Sequence, residues 1–289
     1  MTPARQFAAE FATSRIALAG LALLSLLLLA AALAPWISPQ NPYDLAGLEL
    51  LDSRLPPGAR SVAGAIHWLG TDDQGRDMLS AILYGLRTSV AVGVASTMLG
   101  LAIGVSLGLA AAWLGGWLDA LLMRLADLQL SFPSILIALV LLAVLGQGLD
   151  KIIVALVAVQ WAYYARTARA AALVERRKDY IEAATSLALS SGRIIFRHLL
   201  PNCLPPLLVL AAVQVAAAIT LEATLSFLGL GLPITEPSLG LLISNGFTYL
   251  LSGHYWISFF PGVALLAAVA SVNLVADRLR DVLDPHRGR

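Results

Sequence analysis

Tyr180 to Pro201 reads YIEAATSLALSSGRIIFRHLLP, a polar, arginine-bearing island between two long apolar runs. From Lys178 to Leu189 the residues favour a helix that places Tyr180, Ala183, Ala184 and Leu187 on one face at i, i+3, i+4 and i+7. Two alanines in the middle of that face would let another backbone approach closely, and Glu182 beside them offers an acceptor to a partner's donors. The pattern predicts a break around Ser190-Ser191-Gly192, a second short helix from Arg193, and an end at Pro201, a residue that helix interiors tolerate poorly. A helix, a turn and a helix set between apolar runs have the form of a docking element that projects from a membrane.

The composition supplies the membrane. Of 289 residues, 58% are hydrophobic and 13% charged, where a soluble domain carries about a quarter charged. The apolar residues gather into runs near the ~20 residues that a bilayer requires. The single Cys203 excludes an intrachain disulfide framework and any cysteine-based metal cluster. Only Lys151 and Lys178 are lysines, and neither follows a glycine, so no GxxxxGK[ST] phosphate loop is present. Any ATP used must therefore be hydrolysed by another chain.

Taken in order, Ile16–Ala34 is the first apolar run, preceded by Arg5 and Arg15. Ala32-Leu33-Ala34 could pass for a signal-peptidase site. The run is nevertheless longer than the roughly 7–15 residues of a signal core, and Pro35 follows the cut, so an uncleaved anchor helix is expected. Residues 35–87 form a long polar connection containing HWLGTDDQGRD at 67–77. Gly70 and Gly75 mark turns beside acids suited to cap the next helix. Asp72, Asp73 and Asp77 lack the alternate spacing and terminal Glu of a calcium loop; capping, with an Arg76–carboxylate pair, is the expectation.

Five further spans are expected near 88–113, 132–145 (extended backwards through 121–130), 152–172, 204–227 and 259–276. Gly100, Gly104 and Gly108 in the second recur every fourth residue, a small-residue face suited to close helix packing in lipid. Six spans put both termini on one side. With the termini, the turn near 113–126 and the 166–202 loop inside, fourteen Lys/Arg lie inside and five outside, the bias that orients membrane proteins. The expected organisation is an anchor helix and external loop over 1–87, then a core over 88–289 whose cytoplasmic loop spans about 166–202.

Asp127, Gln129, Gln160, Gln214, Glu222 and Asn273 fall in or at the ends of apolar segments. A carboxylate at mid-membrane costs about 2.5–3.5 kcal/mol on insertion scales, so it normally faces a cavity or a partner. Gln160, Gln214 and Glu222 are candidate translocation-path residues. For Glu222 two readings stand: a wet path or a cationic peptide terminus, and a structural role in pairing with a neighbouring subunit or at the outer interface. Asp127 is expected to cap a helix N-terminus. The set does not have the form of a proton relay.

Glu182-Ala183-Ala184, followed at the expected distance by Leu200-Pro201, resembles the EAA loop of ABC importer permeases. In that family the loop forms a coupling helix seated in a groove of the ATPase subunit. The family's Gly six residues after the Glu is Ala188 here, which puts the geometry of the turn in question. LGTDDQGRD (69–77), LSFLGLGLPITEPSLG (225–240) and NLVADRLRDVLDP (273–285) are similar to strings of the dipeptide, oligopeptide and nickel group of such permeases.

The resemblance covers nearly the whole chain. It implies an all-α, six-helix membrane protein with the MetI-like fold of type I importers, located in the bacterial inner membrane with both termini cytoplasmic. It also implies a second, homologous permease as a heterodimer partner, two ATP-binding subunits and an external solute-binding protein. Tyr180, Glu182, Ala183, Ala184, Leu187 and Ala188 would couple to the ATPase. This chain would carry no cofactor, ATP and Mg being bound by the partner ATPases. Peptide is the expected cargo, with nickel or another small solute the alternative: His67, His198, His254 and His286 all lie outside the spans, and nickel wants imidazole, carboxylate or thiolate ligands. An ion-coupled secondary transporter would need its own ion site and inverted repeats.

Overall fold

The computed structural model describes residues 3–44 and 48–283. Asp284 and Pro285 of the terminal string lie outside them, as do His286, Arg287 and Arg289. Among the described residues the chain is mostly helical, and the segment 48–77 holds one small hairpin pairing β1 (Ala59–Arg60) with β2 (Ile66–His67).

A short helix α1 (Pro3–Phe11) precedes the anchor α2 (Arg15–Ile37), which starts where Ser14 Oγ accepts from the Ala17 N–H. The anchor runs unbroken through Ala32-Leu33-Ala34 and buries Ala31 and Ala34 against residues of the following helix. The next helix, α3 (Met78–Leu114), begins ten residues earlier than the expected span at 88. Asp77 starts it there: Oδ2 accepts from the Ser80 N–H at 2.8 Å and from Ser80 Oγ at 2.7 Å, satisfying orphan donors of the first turn.

The third span is not continuous. It is broken into α4 (Gly116–Leu130) and α5 (Ser134–Leu145), bent by 92° at Ser131–Pro133. Pro133 lacks an N–H and excludes the helical conformation from the residue before it. Asp127 is not the expected N-cap. It sits in the last turn of α4 and pairs with Arg166 at 3.0 Å.

The remaining helices are α6 (Leu149–Glu175), α7 (Asp179–Ser186), α8 (Ser191–Ile194), α9 (Leu200–Phe227), α10 (Leu239–Phe247) and α11 (Trp256–Leu283). Four described helices are long and apolar enough to cross a membrane, or five with the bent pair counted as one span. Helix α6, with 27 residues, has the length (about 40 Å) but is more polar, because it carries Gln160, Trp161, Tyr163 and Tyr164. The six-span expectation is thus approximate.

Helix α3 is the central post. Its glycine face lies against α6, where a Cβ on Gly104 would stand 2.4 Å from the Trp161 carbonyl oxygen and one on Gly108 2.4 Å from that of Ala165. The predicted small-residue face is therefore where the two backbones touch. Over its first turns α3 packs with α2, α10 and α11 around Met78, Leu86, Leu242 and Ile257. On its other sides it meets α5, α6 and α9. Helix α10 lies between the expected spans at 204–227 and 259–276. Gly240 and Gly246 press it directly onto the backbones of Ala223 in α9 and Ile257-Ser258 in α11.

Residues 49–77 form a compact cap over the start of α11. Trp256 Nε1 donates to the Thr71 carbonyl at 3.1 Å. Gly70 (φ 79°) has no room for a side chain, a Cβ there falling 2.5 Å from the Leu55 carbonyl oxygen. The expected Arg76–carboxylate pair is present and fully buried: Arg76 Nε donates to Asp72 Oδ2 at 2.7 Å.

Candidate coupling surface and translocation path

Three residues separate α6 from α7, the helix of the EAA string. It is shorter than the expected 178–189, ending at Ser186 in a Schellman turn. Leu187 caps it, the Ala188 N–H donates to the Thr185 carbonyl at 2.9 Å, and the Leu189 N–H reaches back to that of Ala184 at 3.2 Å. Ala188 has φ 52°, the left-handed conformation. The turn therefore stays at the position where the resembled family has Gly, and is not shifted to Gly192. A left-handed non-glycine residue costs about 1–2 kcal/mol. Ala188→Gly is expected to stabilise this loop by about 1 kcal/mol, measured as slower proteolysis between 186 and 191; faster cleavage would refute the assignment.

The face of α7 differs from the expected one. Ile181 and Ala184 point inward and pack with Ile194, Leu189 and Trp113, so Ala184 meets its own chain and is not open to a partner. The sequence carried this signal in the i, i+3 pair Ile181/Ala184, which the choice of Tyr180 as the leading residue obscured. Tyr180, Glu182, Ala183, Leu187 and Ala188 are exposed, Leu187 to 74%. Tyr180 donates to Glu175 Oε2 at 2.6 Å, and burial together with this bond pushes its phenol up to about 12. It is a proton donor throughout the neutral range.

The second helix starts at Ser191, earlier than Arg193, and does not stop at Pro201. A π-turn over Ile195–Leu199 carries the chain into α9, the Leu200 N–H donating to the Ile195 carbonyl five residues back. Pro201, with no N–H to place, falls in the first turn of α9, where proline is tolerated. The loop is thus mounted on α3 and α6. Arg176 stacks on Trp113 at 5.0 Å and donates to the carbonyls of Ala112 and Trp113 that end α3. Arg169 holds Asp119 of α4 with two bonds of 2.5 and 2.6 Å.

Of the three path candidates, two come together. Gln160 and Gln214 line one cavity of about 100 Å³ with Ser134 and Tyr163, and Gln160 Oε1 accepts from Thr97 Oγ1 at 3.3 Å. A wider cavity of about 390 Å³ shares Ser134 and adds Thr220, Thr224 and Asn273. Both are walled by amides, hydroxyls and aliphatic groups, with no charged side chain. Ser134, Thr220 and Thr224 were not read as path residues, because a hydroxyl in an apolar helix is also met by its own i−4 carbonyl, as Thr220 and Thr224 are here. Glu222 stands apart. It is 0% exposed, accepting from Ser89 Oγ of α3 at 2.7 Å and Ser226 Oγ at 2.9 Å. Its partners belong to this chain, where the reading of the sequence pointed to a neighbouring subunit, and a buried carboxylate must find donors.

The profile of the family described as "Binding-protein-dependent transport system inner membrane component" matches residues 76–289, and that of the "N-terminal TM domain of oligopeptide transport permease C" matches 2–57. The dipeptide transport system permease protein DppC of Escherichia coli is 41% identical over 286 residues, covering 99% of this chain and 94% of that one. The di/tripeptide transport system permease protein DppC of Pseudomonas aeruginosa is 35% identical over 285 residues, covering 98% and 92%. In fold, the chain is similar to a solved structure of the MetNI methionine ABC transporter in an inward-facing conformation, with TM-score 0.56 at 23% identity over 72% of this chain and 98% of that one. With a glycine-packed helical core, a solvent-facing EAA helix and these matches along its length, the chain belongs to the family of binding-protein-dependent transport system inner membrane components, and is a multi-pass transport permease of MetI-like fold.

Proposed function

We propose that this chain forms half of the translocation path of an ATP-driven peptide importer and couples it to cytoplasmic ATPases through α7. The observation that carries the reading is the mounting of α7: an exposed helix, with Ala183 and Leu187 outward, fastened to α3 and α6, which line or flank the cavities. Force on α7 therefore reaches the path. ATP and Mg reside on two separate ATP-binding subunits, since this chain has no phosphate loop. A second, different permease completes the pore and an external solute-binding protein delivers cargo. Both termini and the 166–202 loop are cytoplasmic, on the Lys/Arg bias. The core unit begins near α3, after the anchor and the external loop.

In this mechanism ATP binding draws the two coupling helices together, the spans rock outward to receive cargo, and hydrolysis resets them. Tyr180, Glu182, Ala183, Leu187 and Ala188 meet the ATPase, while Ala184 seats the helix from behind. Gln160 and Gln214, with Ser134, Thr220, Thr224 and Asn273, line the path. An uncharged amide and hydroxyl lining suits peptide backbones of any side chain. Peptide is preferred to nickel because the relatives described above are named for dipeptides and tripeptides and the lining lacks imidazole, carboxylate and thiolate.

The test is reconstitution with the partner subunits and ATP-dependent uptake of labelled dipeptides. Glu182→Arg places bulk and opposite charge at the dock. It is expected to cut uptake at least about tenfold, a loss of ~1.4 kcal/mol or more at the interface, with this chain still at normal abundance. Normal uptake by that variant would remove Glu182 from the dock, and uptake of nickel but not peptide by the wild type would replace the cargo.

A further inference from the structure

We infer that Glu175, the last residue of α6, is the positioning residue that locks the coupling helix to α6 so that the two move as one body. The inference rests on the coupling role proposed for α7. Glu175 lies outside the EAA string, yet its carboxylate bridges the whole α6–α7 turn. Oε1 accepts from Lys178 Nζ at 2.5 Å and Oε2 from Tyr180 Oη at 2.6 Å. Lys178 is the residue at the head of α7 and Tyr180 lies in its first turn. One carboxylate thus holds the start of the helix on two oxygens, and its side chain is 13% exposed against 52% for Lys178.

Helix α7 has no side-chain N-cap, Lys178 standing at that position with no acceptor to offer. The packing of Ile181 and Ala184 on Trp113, Leu189 and Ile194 is apolar, and apolar contact is non-directional. Packing keeps α7 near its seat, and the Glu175 bonds set its angle. Geometry matters here because Glu175 also lines a groove of about 810 Å³ between α6, α9 and α11. On that side the turn borders the groove, with Asn202 at the start of α9 beside the Tyr180 hydroxyl, and an α7 without its clamp has room to tilt into it. A tilting lever absorbs the ATPase stroke without passing it to α6. Lys178 contributes charge, and the charge-assisted bonds are the stronger kind. Tyr180 contributes direction, because its rigid ring fixes where the hydroxyl must be.

The experiment has two readouts on the assembled transporter. Spin labels at Val174 and Ser186, both exposed, report the α6–α7 distance whether or not peptide is the cargo. The peptide-to-ATP ratio reports coupling. Glu175→Ala is expected to broaden the distance distribution and to lower peptide moved per ATP about fivefold, the low end of coupling between sites, with the ATPase subunits still bound. Tyr180→Phe should behave alike. Glu175→Gln, whose amide oxygen still accepts from Tyr180, should restore a narrow distance and most of the ratio. A narrow distribution in Glu175→Ala would overturn the inference, as would uptake and hydrolysis falling in step. A wild type that moves no peptide would overturn the cargo alone, since the distance measurement still decides the clamp.

Discussion

Gly104→Val is expected to abolish the folded permease. The position lies where α3 crosses α6, and a Cβ there would stand 2.4 Å from the Trp161 carbonyl oxygen, 2.5 Å from Tyr164 Cβ and 3.0 Å from the Ala165 backbone nitrogen. Two of these three atoms are helix backbone, which cannot turn aside as a side chain can. Relief requires α3 and α6 to separate, and the separation would open the cluster of Leu109, Tyr164, Ala168, Leu199 and Cys203. It would also stretch the Thr97–Gln160 bond. Overpacking by one methyl typically costs about 1–3 kcal/mol, against a total stability of about 5–15 kcal/mol. Gly104→Ala should therefore lower the melting temperature measurably, and the branched valine should leave no monodisperse protein in detergent. Gly262→Ala is the control. It lies in α11 with nothing within 4 Å of a built Cβ, and should be neutral or stabilising by up to about 1 kcal/mol. If Gly104→Ala melts with the wild type, the close α3–α6 contact is wrong.

The second large effect is expected at Arg76→Ala, at about 3–5 kcal/mol, because it leaves the Asp72 carboxylate buried without its counter-charge. Both side chains are 0% exposed. Asp72 Oδ1 accepts from the N–H groups of Gln74 and Arg76, each at 2.9 Å, and Oδ2 from Arg76 Nε. Arg76 Nη1 donates to the Ile234 carbonyl at 3.2 Å, joining the loop before α3 to the one after α9. Losing the arginine releases both loops at once. The readout is limited proteolysis within 49–77, with Trp256 fluorescence reporting the loss of its bond to Thr71. Asp72→Asn combined with Arg76→Met should recover part of the loss, since a neutral amide still accepts from the backbone while no bare charge remains. A double variant as fragile as Arg76→Ala would mean that the arginine acts by shape and not by charge.

These two sites differ in how far they could be read beforehand. Spacing exposes the glycine stripe, because Gly100, Gly104 and Gly108 fall on one face under any helical register. Which helix meets that stripe is a long-range matter, and nothing local names α6. The Arg76 pair is four residues from its partner in sequence and was legible for that reason. Its burial was not, because burial depends on α10, α11 and the 228–238 loop closing over it.

The coupling hairpin shows the same division. Periodicity marks α7 as a helix with an outward face, and the EAA string names its role by resemblance. The facing of Ala184 and the place of the turn were decided by packing on Trp113 and by the Schellman bonds, which put the non-glycine Ala188 into a left-handed conformation. Pro201 read as a stop because proline lacks a donor, and the π-turn before it removed the need for one.

Local chemistry thus sufficed for what is written in neighbours: the apolar runs, the glycine stripe and the capped start at Asp77. Tertiary structure alone decided the 92° bend of the third span, the placing of Gln160 and Gln214 on one cavity, and the withdrawal of Glu222 to Ser89 and Ser226. The reason is physical. An apolar helix is satisfied by lipid or protein alike on any face, so its composition does not say which face turns to which neighbour. That choice belongs to the few places where backbones touch and polar groups must find partners from distant parts of the chain.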